Sequence, residues 1–178
     1  MTASPYVKGT LYEIKIQDLQ TDPNQPRKYF DKVALNDLTN SIKDKGILQP
    51  ILFRMGQDND LFIVAGERRL QAAKDAGLEI IPGLLVEENP DEIALIENIL
   101  REDLTAMELA EALDRIRTEH DYTQEQLIPI IGKAKSTVSE ILSLNNLPAD
   151  IKDECRKNPK ISRQVLLDFS CLRFFDHN

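Results

Sequence analysis

Leu61-Phe62-Ile63-Val64-Ala65-Gly66-Glu67-Arg68-Arg69-Leu70 is the stretch that decides how this chain is read. Its first five residues fit an apolar strand, and Leu70 to Ala76 behind it fit a helix. A glycine at a strand-to-helix turn lets the backbone approach a ligand closely, and the open N–H groups of a helix start attract anions. Arg68 and Arg69 add planar, forked donors suited to phosphate. Strand, glycine turn and cationic helix start together predict an anion site at Gly66. The competing reading of the two arginines is ordinary salt bridging with acidic neighbours.

On the N-terminal side, Tyr12-Glu13-Ile14-Lys15-Ile16 alternates as a half-buried strand does. Asp22-Pro23-Asn24-Gln25-Pro26-Arg27 follows as a turn-rich stretch whose prolines stop regular structure. Lys32 to Lys45 places Val33, Leu35, Leu38 and Ile42 at helical spacing, and Gly46 is well placed as the C-terminal stop. Ile51-Leu52-Phe53 and Leu61-Phe62-Ile63-Val64 read as two strands joined by the polar loop at 56–60. Gly77 ends the next helix, and Ile80 to Val86 gives one more strand. From Asp91 onward the periodicity is helical throughout. The domain change is placed near 103–106, where Thr105 and Glu108 stand at capping-box distance. The predicted architecture is α+β: a small α/β domain over residues 1–104, then an all-α domain over 105–178.

The chain has 178 residues and a net charge of −8, which excludes a generally basic, DNA-coating protein. The charge is uneven, however, and the lysines and arginines gather in residues 133–163, where a nucleic-acid surface is expected. Cys155 and Cys171 have neither metal-like nor redox spacing, so free thiols in a reducing cytoplasm are expected. The N-terminus carries no basic-then-apolar signal. No apolar run approaches the roughly 18 residues of a membrane span, so an intracellular protein without a membrane partner is the expectation.

Residues 123–144 fit a helix-turn-helix. Thr123 with Gln126 makes a capping box, Leu127, Ile130 and Ile131 supply the inner face of the first helix, and Gly132 sits at the tight turn. The second helix, about Lys135 to Leu144, is expected to bury Val138, Ile141 and Leu142. That leaves Lys135, Ser136, Ser139 and Glu140 toward a DNA groove. Lys133 and Lys135 suit phosphates, Ser136 and Thr137 suit phosphate or base edges, and Glu140 suits a cytosine amino group. The same pattern describes a helical hairpin with a solvated polar face. Pro129 counts against the motif, since it removes a helical hydrogen bond and is expected to kink the first helix.

A second polar cluster is Glu97-Asn98-Ile99-Leu100-Arg101-Glu102-Asp103. Glu97 and Asn98 offer hard oxygen ligands for Mg²⁺ beside a triphosphate, with Arg101 one helical turn on from Glu97 to reach a phosphate. An exposed helix face is the bland alternative. Glu67 suits the orientation of an attacking water, or equally an arginine partner, and the latter is the stronger expectation. The loop Gly46-Ile47-Leu48-Gln49-Pro50 offers backbone groups and one amide for a base edge. His120 and His177 stand alone, and no Ser/His/Asp or Cys/His arrangement can be assembled.

In order and spacing these motifs resemble the ParB family of partition proteins, from about Ile14 to Asp168. The resemblance rests on Asn24-Gln25-Pro26-Arg27-Lys28-Tyr29-Phe30-Asp31, Gly46-Ile47-Leu48-Gln49-Pro50-Ile51, Gly66-Glu67-Arg68-Arg69-Leu70-Gln71-Ala72 and Glu97-Asn98-Ile99-Leu100-Arg101-Glu102-Asp103-Leu104. The helix-turn-helix and Leu144-Asn145-Asn146-Leu147-Pro148 complete it. The resemblance implies a ParB/sulfiredoxin-like N-terminal domain that binds CTP with Mg²⁺, and a helix-turn-helix that binds a centromere-like inverted repeat in double-stranded DNA. It further implies a homodimer that closes as a clamp on DNA, slow CTP hydrolysis that reopens it, a ParA-type ATPase partner and a place on the nucleoid in the cytoplasm. Carried over by position, Gly66, Arg68, Arg69 and Arg101 would serve the phosphates and Glu97 and Asn98 the metal. Glu67 would be linked to hydrolysis, and Gln49 would lie at the cytidine.

The chain departs from the family at several points. Leu100 stands where the third box usually has glutamine, and Ser143 where an arginine often follows the recognition helix's apolar pair. The stretch before Tyr12 lacks an obvious basic helix for a ParA-type partner. After Ile161 to Leu167 the family continues to a C-terminal dimerisation domain, whereas Ser170 to Asn178 is apolar and unlike it. Truncation or an altered reading frame, and a defective clamp, are therefore expected. Other classes remain as alternatives: a helix-turn-helix transcriptional regulator and a metal-dependent nuclease. A sulfiredoxin-like reductase would need a cysteine in the turn, and Val64-Ala65-Gly66-Glu67 has none.

Overall fold

The computed structural model describes residues 6–21, 31–56, 58–87, 89–101 and 103–158. The readings made on residues 22–30, on Glu102 and on residues 161–178 lie outside these. The chain divides into two compact units, Met1–Ala94 and Leu95–Asn178.

The first unit holds β1 (Leu11–Lys15), a single 3-10 turn (Ile16–Asp18), β2 (Leu19–Thr21), α1 (Lys32–Lys45), β3 (Ile51–Met55), β4 (Leu61–Ala65), α2 (Glu67–Asp75) and β5 (Ile80–Leu85). The strands form one mixed sheet in the order β1-β5-β3-β4-β2. β1 and β5 are antiparallel, as are β3 and β4, while β3 runs parallel to β5 and β2 parallel to β4. β3 is central, and its Ile51-Leu52-Phe53 run is buried throughout, as expected of a strand covered on both faces. β1 lies at the edge and alternates, sending Ile14 inward while Glu13 and Lys15 stay exposed.

Ile14, Leu19, Ile51, Phe53, Leu61, Ile63, Ile81 and Leu85 pack with Leu70 and Ala73 of α2 into one core. Each large apolar side chain buried there contributes about 1.5–3 kcal/mol. Tyr6 and Tyr12 extend it by edge-to-face contacts with Phe53. α1 has the bounds that the sequence predicts, because Asp31 caps it by accepting from the Val33 amide at 2.9 Å and Gly46 closes it. β2 is a strand the sequence reading lacks.

α3 (Pro90–Ile99) starts in the first unit and ends in the second. The unit boundary thus falls within α3, whereas the sequence reading places the domain change at 103–106. The second unit continues with α4 (Ala106–Glu119), α5 (Gln124–Ile131), α6 (Lys135–Ser143), a 3-10 turn (Leu144–Asn146) and α7 (Ala149–Lys157). Both predicted capping boxes form, Thr105 with Glu108 and Thr123 with Gln126, each with its two reciprocal bonds. Met107, Leu113 and Ile116 of α4, Leu127 and Ile130 of α5, and Val138 and Ile141 of α6 are buried, together with Leu144 and Leu147. Asn145 fastens the end of this motif by donating to the Ala110 carbonyl at 2.7 Å.

Candidate functional site

The turn at Gly66 has the geometry its sequence predicts. Gly66 is left-handed, with φ 97° and ψ 22°, and stands at the N-cap of α2 without a side-chain cap. A side chain there would collide as well as strain the backbone, since a Cβ would lie 3.0 Å from Ile51 Cγ2 and 3.2 Å from Ile51 Cα. α2 begins at Glu67, three residues earlier than the apolar period suggests. The amides of its first turn have no carbonyl of their own helix to bond. The intrahelical ladder starts with Leu70 N–H donating to the Gly66 carbonyl at 3.0 Å.

The two arginines of this turn are placed differently. Arg68 is exposed, and its guanidinium makes no hydrogen bond or ion pair with another described residue. Arg69 is half-buried, and its Nη1 donates to the Gln49 carbonyl at 3.2 Å and to the Pro50 carbonyl. Glu67 is half-buried in the first turn of α2. The arginine partner expected for it is not found among the described residues, and its charge there complements the helix dipole.

Glu97, Asn98 and Arg101 belong to the second unit. Glu97 is exposed and Asn98 half-buried. Arg101 lies beyond the end of α3, so a continuous helical turn from Glu97 does not carry it. Its amide bonds the Asn98 carbonyl at 3.1 Å, and its guanidinium grips Asp103 by two bonds of 3.0 and 2.7 Å. That pair holds the Asp103 carboxyl below the usual carboxylate range. Asn98, Arg101 and Asp103 line a cleft of about 310 Å³ with Glu108, Glu111 and Arg115. Among the described residues no three or more His, Cys, Asp or Glu side chains gather to hold a metal. One carboxylate and one amide do not make a protein-only cage. A Mg²⁺ held by two such donors would have to draw its remaining ligands from waters and phosphate oxygens.

In the helix-turn-helix, Gly132 takes the left-handed turn at φ 61° and closes α5 by donating to the Ile128 carbonyl at 3.0 Å. Pro129 lies inside α5, which nevertheless runs on to Ile131. Lys133, Lys135, Ser136, Ser139 and Glu140 are exposed, and Thr137 is half-buried. Ile131 and Leu142, expected inside, are half-buried, while Leu144 is fully buried. One residue that sequence reasoning passed over is Glu125. Its Oε1 accepts from Lys135 Nζ at 2.8 Å, across α5 and α6, which lowers the Glu125 carboxyl pKa and raises that of the Lys135 ammonium.

No helix among the described residues is long and apolar enough to cross a membrane. Cys155 is buried and free, and burial pushes its thiol up.

The family model of the ParB N-terminal domain matches residues 2–99, and that of the ParB HTH domain matches residues 102–164. The chain is 42% identical over 156 residues to a probable chromosome-partitioning protein ParB of Vibrio cholerae, covering 85% of this chain and 53% of that protein. It spans about half the length of the curated relatives it matches. Among solved structures it is similar to the C-terminally truncated chromosome-partitioning protein ParB of Caulobacter crescentus complexed to the centromeric parS site. That match has 36% identity and a TM-score of 0.50, over 89% of this chain and 84% of the other. The same Caulobacter protein complexed with CTP-γ-S matches at 35% identity and a TM-score of 0.46, over 91% and 92% of the two chains. A sheet unit carrying the Gly66 turn, a helix-turn-helix later in the sequence, and two family models that match residues 2–99 and 102–164 lead to one conclusion: the chain belongs to the ParB family.

Proposed function

We propose that this chain is a partition protein that binds CTP at the Gly66 turn and whose helix-turn-helix binds a centromere-like inverted repeat. The observation that carries the nucleotide reading is Arg68, an exposed guanidinium without a partner among the described residues, at the uncapped start of α2. A phosphate there receives first-turn amides, the positive end of the helix and a forked cation together. By family position, Glu97 and Asn98 would offer oxygen ligands to Mg²⁺, and Arg101 a phosphate donor once released from Asp103. The Gln49 loop faces the cytidine, and Glu67 orients water for a slow hydrolysis that resets the protein.

In this reading Lys133 and Lys135 meet backbone phosphates, and Ser136, Thr137, Ser139 and Glu140 are offered to phosphates and base edges. Two or three phosphate contacts per copy give a log–log salt slope of roughly −2 to −3 per monomer. Such weak single-copy binding favours a homodimer on an inverted repeat, closing as a clamp when CTP is bound. A ParA-type ATPase is the partner this function requires. Family membership and the exposed face of α6 support the DNA reading.

Calorimetric titration with CTP, ATP and GTP in Mg²⁺, beside Arg68→Ala, tests the nucleotide site. Selective CTP binding that the substitution abolishes is expected. Failure of every nucleotide to bind would overturn it and leave a helix-turn-helix DNA binder.

A further inference from the structure

We infer that Arg69 is a positioning residue, which holds the 46–50 loop on the Gly66 turn and so sets base selectivity, while the phosphates fall to Arg68 and the first-turn amides. This deepens the nucleotide reading above and rests on it. Three successive contacts join the two segments. Leu52 pairs with Ala65 across the β3–β4 ladder, Gly66 lies directly against Ile51, and Arg69 Nη1 donates to the carbonyls of Pro50 and Gln49. The segment 49–52 is thereby fastened along 65–69 by strand pairing, by the close approach of Gly66 and by a side-chain bond to two main-chain carbonyls.

The loop is held at its two ends. Ile47 packs against the core, Pro50 is buried, and Leu48 between them is 77% exposed. Proline has no N–H to contribute, and buried backbone carbonyls require donors. Arg69 is one such donor, reaching back 19 and 20 residues along the chain. An arginine that serves two main-chain carbonyls acts on the loop first, and on a nucleotide through the loop. Adjacent in sequence, Arg68 and Arg69 thus divide the labour between phosphate and base.

The test compares Arg69→Gln, Arg69→Lys and Arg68→Gln in the full chain, by hydrogen exchange without nucleotide and by calorimetry with CTP, UTP and tripolyphosphate in Mg²⁺. For Arg69→Gln, amides of Ile47, Leu48, Gln49 and Ile51 should exchange about tenfold faster, CTP should bind about tenfold more weakly with its preference over UTP reduced, and tripolyphosphate should stay within about threefold. Arg69→Lys, which keeps a donor, should restore the protection. Arg68→Gln should weaken CTP and tripolyphosphate in parallel. Parallel losses for Arg69→Gln, or unchanged exchange in the loop, would overturn the inference. If the unaltered chain binds none of the three ligands, the nucleotide reading fails instead, and the exchange measurement still decides whether Arg69 holds the loop.

Discussion

Gly66→Ala separates backbone strain from collision, because Gly77 supplies a matched control in the same unit. Both glycines have positive φ, 97° and 79°, but a Cβ at Gly77 would meet nothing within 4 Å, while one at Gly66 would press on Ile51 side chain and backbone at 3.0–3.2 Å. Left-handed conformation costs an L-residue about 1–2 kcal/mol, which is the whole penalty expected for Gly77→Ala. Ile51 is fully buried in the central strand and cannot retreat cheaply, so Gly66→Ala adds an overpacking cost of about 1–3 kcal/mol, for a total of about 2–5 kcal/mol. In a unit of this size each kcal/mol moves the thermal midpoint by roughly 4–8 °C. Hydrogen exchange of the β3 and β4 amides reads the first unit alone, which avoids assuming that both units unfold together. The expected result is a Gly66→Ala cost at least about 1 kcal/mol above that of Gly77→Ala. Equal costs for the two variants would refute the close approach of the turn to β3, and with it the packing that fastens the 46–50 loop.

Two further predictions concern the second unit. Glu125→Gln releases Lys135, so DNA affinity should rise roughly two- to fivefold and the log–log salt slope should steepen by about one, measured by fluorescence anisotropy across a salt series. An unchanged slope and affinity would contradict the restraint of Lys135 by Glu125. Glu108 is held below the usual carboxylate range by the Thr105 backbone amide first and the Thr105 hydroxyl second. A depressed folded pKa stabilises above the unfolded value of about 4.3, and that contribution drains away as pH falls through the folded value. Glu108→Gln keeps the cap without the titration. Any stability gap between the two chains at pH 7 should therefore narrow in thermal melts as the pH falls below the unfolded value, and a gap that stays constant would contradict the assignment.

Where the chain carries its own local signals, sequence and structure agree closely. α1 runs from Lys32 to Lys45 because Asp31 and Gly46 flank it, and the two capping boxes form from residues three apart. The start of α2 was harder to place, since Glu67, Arg68 and Arg69 carry no apolar period. β2 escaped because three residues with one buried side chain have no pattern of their own, and their pairing partner is β4, some forty residues away.

By itself the sequence determined the family, the α/β-then-helical order, the glycine turn and the helix-turn-helix, all of which follow from residue types at fixed short spacings. Only the tertiary structure decided what the charged side chains do. Arg69 turns to the carbonyls of Gln49 and Pro50, Arg101 to Asp103, and Lys135 to Glu125. A long cationic side chain can reach any acceptor within its span. Which one it finds depends on chain segments that folding brings near and on main-chain carbonyls that every residue possesses, so nothing in the order of the residues marks the choice.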